Sequence, residues 1–410
     1  MTPRLLILSD CITPPSYSPR LTVLIRHLTG QGWQCTLATD NLAGQEYTTN
    51  LCRQINMTYL PAGISPVKRF FKRLADKLFQ AREKQFTNIL SRTFNASDFD
   101  AIFCSTYYYF PLYTAAALSK KWDIPFVADL RDIVEQWGKT PYFHTPLPKL
   151  LGLEKRLARI YERHNIKLRN RVLRMAATVT TVSPWHQTTL QKITKAPVLL
   201  IYNGFDEQEI QPVSIPSDHF NITFIGRLIN LQARQPDMLF DAVGQLIQNH
   251  KINATDIRLN FYCEPEWASA LRKQAALHHA DKNLYIYPFV ARTDIQQIMA
   301  VSSVLLALGA PASYQQHGIL GTKVFEAIGA EKPFMLIPSD EDALAQLIHE
   351  TGIGIAARDT EDIKAFIGQE YQVWRTDHYT HRSVSNKQLY TRGYQASQFT
   401  DIFKSLIQHA

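Results

Sequence analysis

Short, mainly apolar runs alternate with stretches of helical period along this chain. Leu5 to Leu8 is the first run, a helical pattern over Leu21 to Leu28 stops at Gly30, and Cys35 to Ala38 is the next run. The rhythm continues through Ala101 to Cys104, a helix over Leu112 to Lys121, Phe126 to Ala128, Thr178 to Val182 and Val198 to Ile201. It restarts at Ile222 to Ile225 and passes through Ile257 to Phe261, Leu284 to Ile286, Val304 to Leu308 and Phe334 to Ile337. Strands of this kind are buried on both faces, and their alternation with helices demands a parallel sheet covered above and below. The pattern predicts an α/β protein of two doubly wound, Rossmann-like domains. Glu207 to Phe220, polar and carrying Pro212 and Pro216, reads as the connection between them. Ligands of such sheets bind beyond the strand carboxyl ends, so the active site is expected in a cleft between the facing domains.

The length of 410 residues suits two domains of about 200 each. No apolar run approaches the roughly 18 residues that span a bilayer, and the apolar core of the N-terminus is too short for a signal peptide. The chain is therefore expected in the cytoplasm, with a peripheral place on the inner face of the plasma membrane as a further expectation. Cys11, Cys35, Cys52, Cys104 and Cys263 are odd in number and lack a C-x-x-C pair, which argues against a disulfide framework or a zinc site and for reduced, mostly buried thiols.

The net charge of +8 asks for an anionic partner. Much of the excess lies in Val67 to Lys84, where Lys68, Arg69, Lys72, Arg73, Lys77, Arg82 and Lys84 face only Asp76 and Glu83. Val67, Phe70, Phe71, Leu74 and Leu78 repeat there at helical spacing, the composition of a helix lying on an anionic membrane surface. A second basic stretch, Lys149 to Arg174, has an apolar stripe that fits either a membrane or an ordinary core-facing helix side. No nucleic-acid-binding motif is present, so nucleic acid is not an expected partner.

The stretch Gly321 to Pro333 lies between the runs Val304 to Leu308 and Phe334 to Ile337, and so reads as the loop and helix of a strand-loop-helix-strand unit. Gly321 allows close backbone approach, and the free N–H groups of the following helix, where Thr322 and Lys323 stand, favour an anion. Glu326 falls about one turn in, placed to accept hydrogen bonds from vicinal hydroxyls; an ordinary solvated helix Glu is the competing reading.

This stretch resembles the donor-site segment of retaining GT-B glycosyltransferases of family 4. Phe126 to Asp132 resembles that family's acceptor-side strand end, Tyr202 to Asp206 its interdomain signature, and Ile222 to Leu228 the first strand and phosphate-facing loop of its second domain. The resemblance implies a GT-B fold with an acceptor-binding domain over 1–206, a nucleotide-sugar domain over 207–375, and a C-terminal helical segment, 376–410, crossing back toward the first. It implies transfer of a sugar from a nucleoside-diphosphate sugar to an acceptor, plausibly a lipid-linked glycan of a surface polysaccharide, with retention of configuration and with no metal or cofactor. A nucleotide-sugar epimerase of the same fold and a non-catalytic pseudoglycosyltransferase are the alternatives.

By motif position Gly226 and Arg227 match the family's phosphate-binding loop, and Arg234 substitutes for a lysine usual later in it. Arg227 and Arg234 are then the cations that meet the departing diphosphate, the competing reading being surface charges. Eight residues before Glu326, where many members carry a second glutamate, this chain has Gly318; His317 and Gln316 are the nearest groups able to contact the donor sugar, and a structural role for His317 stays open. On the acceptor side, Asp129 and Asp132 are candidate catalytic carboxylates and Arg131 and Arg20 candidate acceptor contacts; a structural ion-pair cluster is the alternative. Asp340-Glu341-Asp342 spells a metal-binding D-x-D, but it follows Ser339 at a predicted helix start and reads as capping. His278 and His279 lack a spaced third ligand and read as a polar helix end.

Overall fold

The computed structural model describes residues 2–10, 19–40, 50–138, 154–228, 231 and 234–408. Cys11, Ile12 to Ser18, the Thr140 to Pro148 segment, Lys149 to Leu153, the Leu157 side chain, and loop residues Ile229, Asn230, Gln232 and Ala233 lie outside the described residues. The chain divides into two compact units: unit 1 comprises Met1–Gln136, Tyr142–Tyr202 and Arg392–Ala410, and unit 2 comprises Trp137–Pro141 and Asn203–Thr391.

Unit 1 begins with β1 (Arg4–Ser9), α1 (Pro19–Gly30), β2 (Gln34–Asp40), β3 (Arg53–Met57), α2 (Pro66–Phe79), α3 (Ala81–Thr93) and β4 (Ala101–Thr106). It continues with α4 (Leu112–Trp122), β5 (Phe126–Leu130), α5 (Glu154–Leu173), β6 (Thr178–Thr181), α6 (Pro184–Gln191) and β7 (Val198–Leu200). The strands form one parallel sheet in the order β3-β2-β1-β4-β5-β6-β7. The two-residue period of a strand divides its apolar residues between two cores. Leu6 and Leu8 of β1 and Ile102 and Cys104 of β4 pack with Phe86, Leu90, Leu112 and Leu118 of α3 and α4. Leu5, Ile7, Ala101 and Phe103 point to the other face, with Leu21, Leu24 and Leu28 of α1.

Unit 2 comprises β8 (Phe220–Ile225), α7 (Asp237–Gln248), β9 (Ile257–Tyr262), α8 (Ala268–Leu277), β10 (Leu284–Tyr287), α9 (Arg292–Val301), β11 (Val304–Leu308), α10 (Thr322–Ala330), β12 (Phe334–Ile337), α11 (Ala343–Thr351), β13 (Gly354–Ala356) and α12 (Thr360–Asp377). Its sheet, again parallel, has the order β10-β9-β8-β11-β12-β13. Strand order reverses between β1 and β4 in unit 1 and between β8 and β11 in unit 2, which creates a crevice beyond the carboxyl ends of each pair. The last helix, α13 (Arg392–Gln408), belongs to unit 1, where Ala396, Phe399 and Phe403 complete the core that contains α1.

Two strands lack the apolar signature. Both β3 and β13 are sheet edges with partial exposure, so one neighbour and a half-wet face remove the need for a uniformly apolar run.

Helix α2 has no buried residue. Ser65 caps it, its Oγ accepting from Lys68 N at 3.3 Å, and Pro66 occupies the first turn; Gln80, at φ 53°, ends it and turns the chain into α3. Its attachment is polar: Tyr59 Oη donates to Lys72 O at 2.8 Å, Lys72 Nζ donates to Tyr59 O at 2.7 Å, and Asp76 Oδ1 accepts from Arg82 N at 3.1 Å. The apolar stripe is left outside, with Val67, Phe70, Phe71, Leu74, Leu78 and Phe79 all exposed, the last two at 62% and 64%.

Glu83, in the first turn of α3, is buried against α4. Its Oε2 accepts from Thr114 N at 3.0 Å and Thr114 Oγ1 at 2.6 Å, so a carboxylate from one helix satisfies an orphan N–H at the start of the next. Burial nevertheless raises its pKa from 4.5 to about 7, against the lowering effect of the Thr114 hydrogen bonds. A folded pKa above the unfolded one means that the group's contribution is full below pH 4.5 and is lost as pH rises through 7. Glu83→Gln should therefore flatten part of the pH dependence of unit 1: between pH 5 and 8 the wild-type protein should lose on the order of 2 kcal/mol relative to the variant. Urea titrations at the two pH values check this, and identical pH profiles would remove Glu83 as the source.

Candidate functional site

In unit 2, β8 ends at Gly226, whose N–H donates to Tyr262 O at 2.9 Å and extends the ladder to β9. Its φ of +147° suits glycine, and a Cβ there would lie 2.1 Å from Lys323 Nζ. The bare Cα is thus the floor on which the Lys323 ammonium rests, with Nζ 4.4 Å from the centroid of the Phe224 ring. Lys323 is the second residue of α10. Burial pushes its pKa down to about 7, the Arg234 charge lowers it further, and Glu326 and Glu264 oppose the shift without cancelling it.

The start of α10 is open. Gly321 precedes it in extended conformation at φ −70°, no side chain caps it, and a Cβ on Gly321 would meet nothing within 4 Å. Gly321 and Thr322 are exposed, so the first N–H groups of the helix face free space. Glu326, half-buried, lies one turn further on, close enough to both Lys323 and Arg292 to favour their charged forms.

Arg227 is exposed, and its carbonyl accepts from Arg234 Nη1, which folds the loop back on itself. Leu228 N donates to Glu264 Oε2 at 2.9 Å. Burial lowers the Arg234 pKa, with Glu264 the opposing charge. Gly226, Arg227, Arg234, Lys323 and Glu326 therefore surround the β8 carboxyl end and the α10 N-terminus. Glu264 and Arg292 join them without having been singled out in the sequence; an acid at the carboxyl end of β9 and a base opening α9 were the available signals.

His317 is half-exposed, with Nδ1 3.3 Å from Asp342 Oδ2, which also accepts from Gly318 N at 2.7 Å. Asp340 accepts from Leu344 N at 3.1 Å and Ala345 N at 2.9 Å, so the D-x-D triplet is occupied with the start of α11 and the preceding loop. Among the described residues no group of three His, Cys, Asp or Glu is placed to hold a metal ion.

In unit 1 the carboxyl ends of β1, β4 and β5 hold an ion-pair lattice. Asp129 has 0% exposure and accepts from Ser105 Oγ at 2.8 Å and Thr180 Oγ1 at 2.7 Å, with Arg20 Nη2 at 3.4 Å. Arg20 is itself buried, donates to Ile201 O at 3.2 Å and lies over the Phe399 ring of α13. Arg131 pairs with Asp10 at 2.5 Å and stacks 3.8 Å over Tyr107, whose N–H donates to Asp10 Oδ2. Through these contacts Asp129 and Arg20 tie the strand ends and α13 together. Asp132 is different: half-buried, it accepts from Gln136 Nε2 at 3.0 Å, and burial raises its pKa to about 6.

The sequence profile of Glycosyltransferase Family 4 matches residues 20–209. No curated protein sequence is similar enough to match the chain. Among solved structures, Anabaena HepE in complex with UDP has a TM-score of 0.66 at 16% identity, over 98% of this chain and 100% of that one. The sucrose-phosphate synthase of Thermosynechococcus elongatus has a TM-score of 0.64 at 13% identity, over 99% and 100%. The α,α-trehalose 6-phosphate synthase of Burkholderia multivorans has 0.63 at 10%, over 100% of both chains. At these identities the likeness establishes architecture. The chain has the GT-B fold, two Rossmann-like units, and within it residues 20–209 carry the Glycosyltransferase Family 4 match.

Proposed function

We propose that this protein is a glycosyltransferase that takes a sugar from a nucleoside-diphosphate sugar bound in unit 2. The observation that carries the reading is the convergence, at one strand end, of an uncapped helix N-terminus, the cations Arg227, Arg234 and Lys323, and the carboxylate of Glu326 one turn in. Bond cleavage at the anomeric carbon leaves negative charge on the departing diphosphate, and fixed cations and backbone N–H groups in a partly dry site stabilise that charge most as it develops. Glu326 suits the ribose hydroxyls as an acceptor. The complex of HepE with UDP, a protein of the same fold, is consistent with a nucleotide in this place.

On this reading transfer proceeds with retention, the leaving phosphate taking the acceptor proton, and the cations rather than a metal neutralise the diphosphate. In unit 1, Asp132 is the carboxyl group suited to hold an acceptor hydroxyl, because it is partly accessible and titrates near neutrality. The acceptor is a lipid-linked glycan, reached by docking of α2 on an anionic membrane face. Phe70, Phe71, Leu74 and Leu78 form the apolar side of that helix, Lys68, Arg69 and Arg73 belong to the same helix, and the Lys77 ammonium lies 5.5 Å over the ring of Tyr161 on α5. Among the described residues no helix is long and apolar enough to cross a membrane, so this contact is interfacial.

Thermal-shift screening of nucleoside diphosphates and their sugars tests the first part, since a ligand of the folded state raises the melting temperature. A stabilising donor is expected, and Glu326→Ala should weaken it by about 1.5–3 kcal/mol, the range for hydrogen bonds involving a charged group. Equal donor affinity in a folded variant would remove Glu326 from the site.

Membrane docking is tested by flotation with phosphatidylglycerol liposomes. Binding should weaken steadily with added salt, and replacing Lys68, Arg69 and Arg73 by Gln should release the protein while leaving nucleotide binding intact. Indifference of the wild-type protein to these liposomes at low salt would favour a soluble acceptor.

A further inference from the structure

The loop after β8 has no lysine, and the second helical residue of α10 supplies an ammonium at the same strand end. We propose that Lys323 is the principal diphosphate ligand of unit 2, held unliganded on the bare Gly226 Cα and protonated as the donor's diphosphate arrives, so that donor binding takes up a proton. The role rests on the donor-site reading above and adds to it a ranking among the cations and a proton coupling.

The geometry comes first. Any side chain at residue 226 would occupy the position of Nζ, since a Cβ there falls 2.1 Å from it, so the chain keeps this space clear at a backbone conformation only glycine adopts easily. The Lys323 stem runs from the first turn of α10, whose N–H groups are open, to the end of β8, where Arg227 begins the loop. An anion at the α10 N-terminus is therefore within reach of the dipole, Lys323 and Arg227 together. A cation is otherwise disfavoured in the first turn of a helix, where the macrodipole is positive, and no acid occupies that turn. Burial, the dipole and the neighbouring Arg234 all act against the charged ammonium in the free protein, with only the Phe224 face, Glu326 and Glu264 acting for it. A diphosphate reverses that balance by supplying two negative groups. The proton taken up comes from solvent and is returned when nucleoside diphosphate leaves, so no net proton is consumed per turnover by this group.

Calorimetric titration of UDP into the wild-type protein, Lys323→Gln, Lys323→Met and Lys323→Arg tests this. Titrations are run at pH 6 and pH 8 in buffers of different ionisation enthalpy. With a free-state pKa of about 7, wild type should take up close to one proton more than Lys323→Gln at pH 8, and about a tenth of a proton more at pH 6. Relative to Lys323→Gln, wild-type affinity should fall about tenfold from pH 6 to pH 8. Lys323→Gln and Lys323→Met should bind UDP about tenfold or more weakly at pH 6. Lys323→Arg, always charged, should bind without the extra proton. Melting temperatures confirm that the variants are folded, and Lys323→Met keeps the stem packed over Phe224 if the Gln variant is not.

Equal affinity and equal proton uptake in wild type and Lys323→Gln, with Glu326→Ala still weakening UDP, would overturn the role of Lys323 while keeping the donor site. If UDP, GDP, ADP, CDP and dTDP all fail to bind the wild-type protein, the donor-site reading falls and this role with it.

Discussion

A strand buried on both faces of a parallel sheet has committed its backbone to the ladder and its side chains to packing, so its ends are the only places left for chemistry. Both units of this protein are built on that constraint. Leu5 to Leu8 and Ile222 to Phe224 are occupied with core, and the chain becomes polar at the residues that follow, Ser9 and Asp10 in one case and Gly226 and Arg227 in the other. The reversal of strand order then opens a crevice at those same ends, between β1 and β4 and between β8 and β11.

The two units use their strand ends in opposite electrostatic ways. Unit 1 closes its charges upon one another: Asp129 receives Ser105, Thr180 and Arg20, and Asp10 receives Arg131. Such a lattice is costly to desolvate and costlier to break, because removing one partner strands another buried charge. It gives rigidity and register at the strand ends, and leaves Asp132 at the margin as the group with accessible proton chemistry. Unit 2 instead gathers cations that burial and mutual repulsion make uncomfortable, Lys323 and Arg234, beside a helix end that adds positive potential. For the anionic ligand proposed above, such a site would be prepared in advance, because an arriving anion would relieve repulsion instead of having to reorient dipoles.

Legibility in the sequence followed the same division. The central strands could be read because burial on both faces forces Val304 to Leu308 or Phe126 to Ala128 to be apolar without interruption. The edge strand β3 could not, since Gln54 and Asn56 are tolerated where one face is wet, and neither could β13, whose three residues Gly354 to Ala356 are too few to show a period. The loop and helix that hold Gly321, Lys323 and Glu326 were legible because they lie between two apolar strands, and helix periodicity fixes which of their residues share a face. The contact of Lys323 with Gly226 was not legible, because it joins residues nearly a hundred positions apart whose meeting depends on β8 lying beside β11. The same limit applied to Asp129: a carboxylate at a strand end looks functional in sequence, and only the hydroxyls of Ser105 and Thr180 on the neighbouring strands reveal that it is enclosed. The aromatic stripe of α2 was read from its period, whereas its complete exposure depends on the polar anchoring through Tyr59, Lys72 and Arg82.

The return of α13 to unit 1 imposes an order of events on synthesis. Phe399 and Phe403 meet the Phe103 ring edge-on, and Arg20 lies over the Phe399 ring, so one of the two cores of the first unit is unfinished until α13 has left the ribosome. Unit 2, whose last residue is Thr391, is complete before that moment. The nascent chain therefore holds an open apolar face over β1 and β4 throughout translation of the intervening domain. Closure by a segment that follows the second unit in the chain makes the core of the first depend on residues beyond that unit: without α13, Leu5, Ile7, Ala101 and Phe103 would lose Phe399 and Phe403 as partners, and that face would be offered to chaperones and proteases.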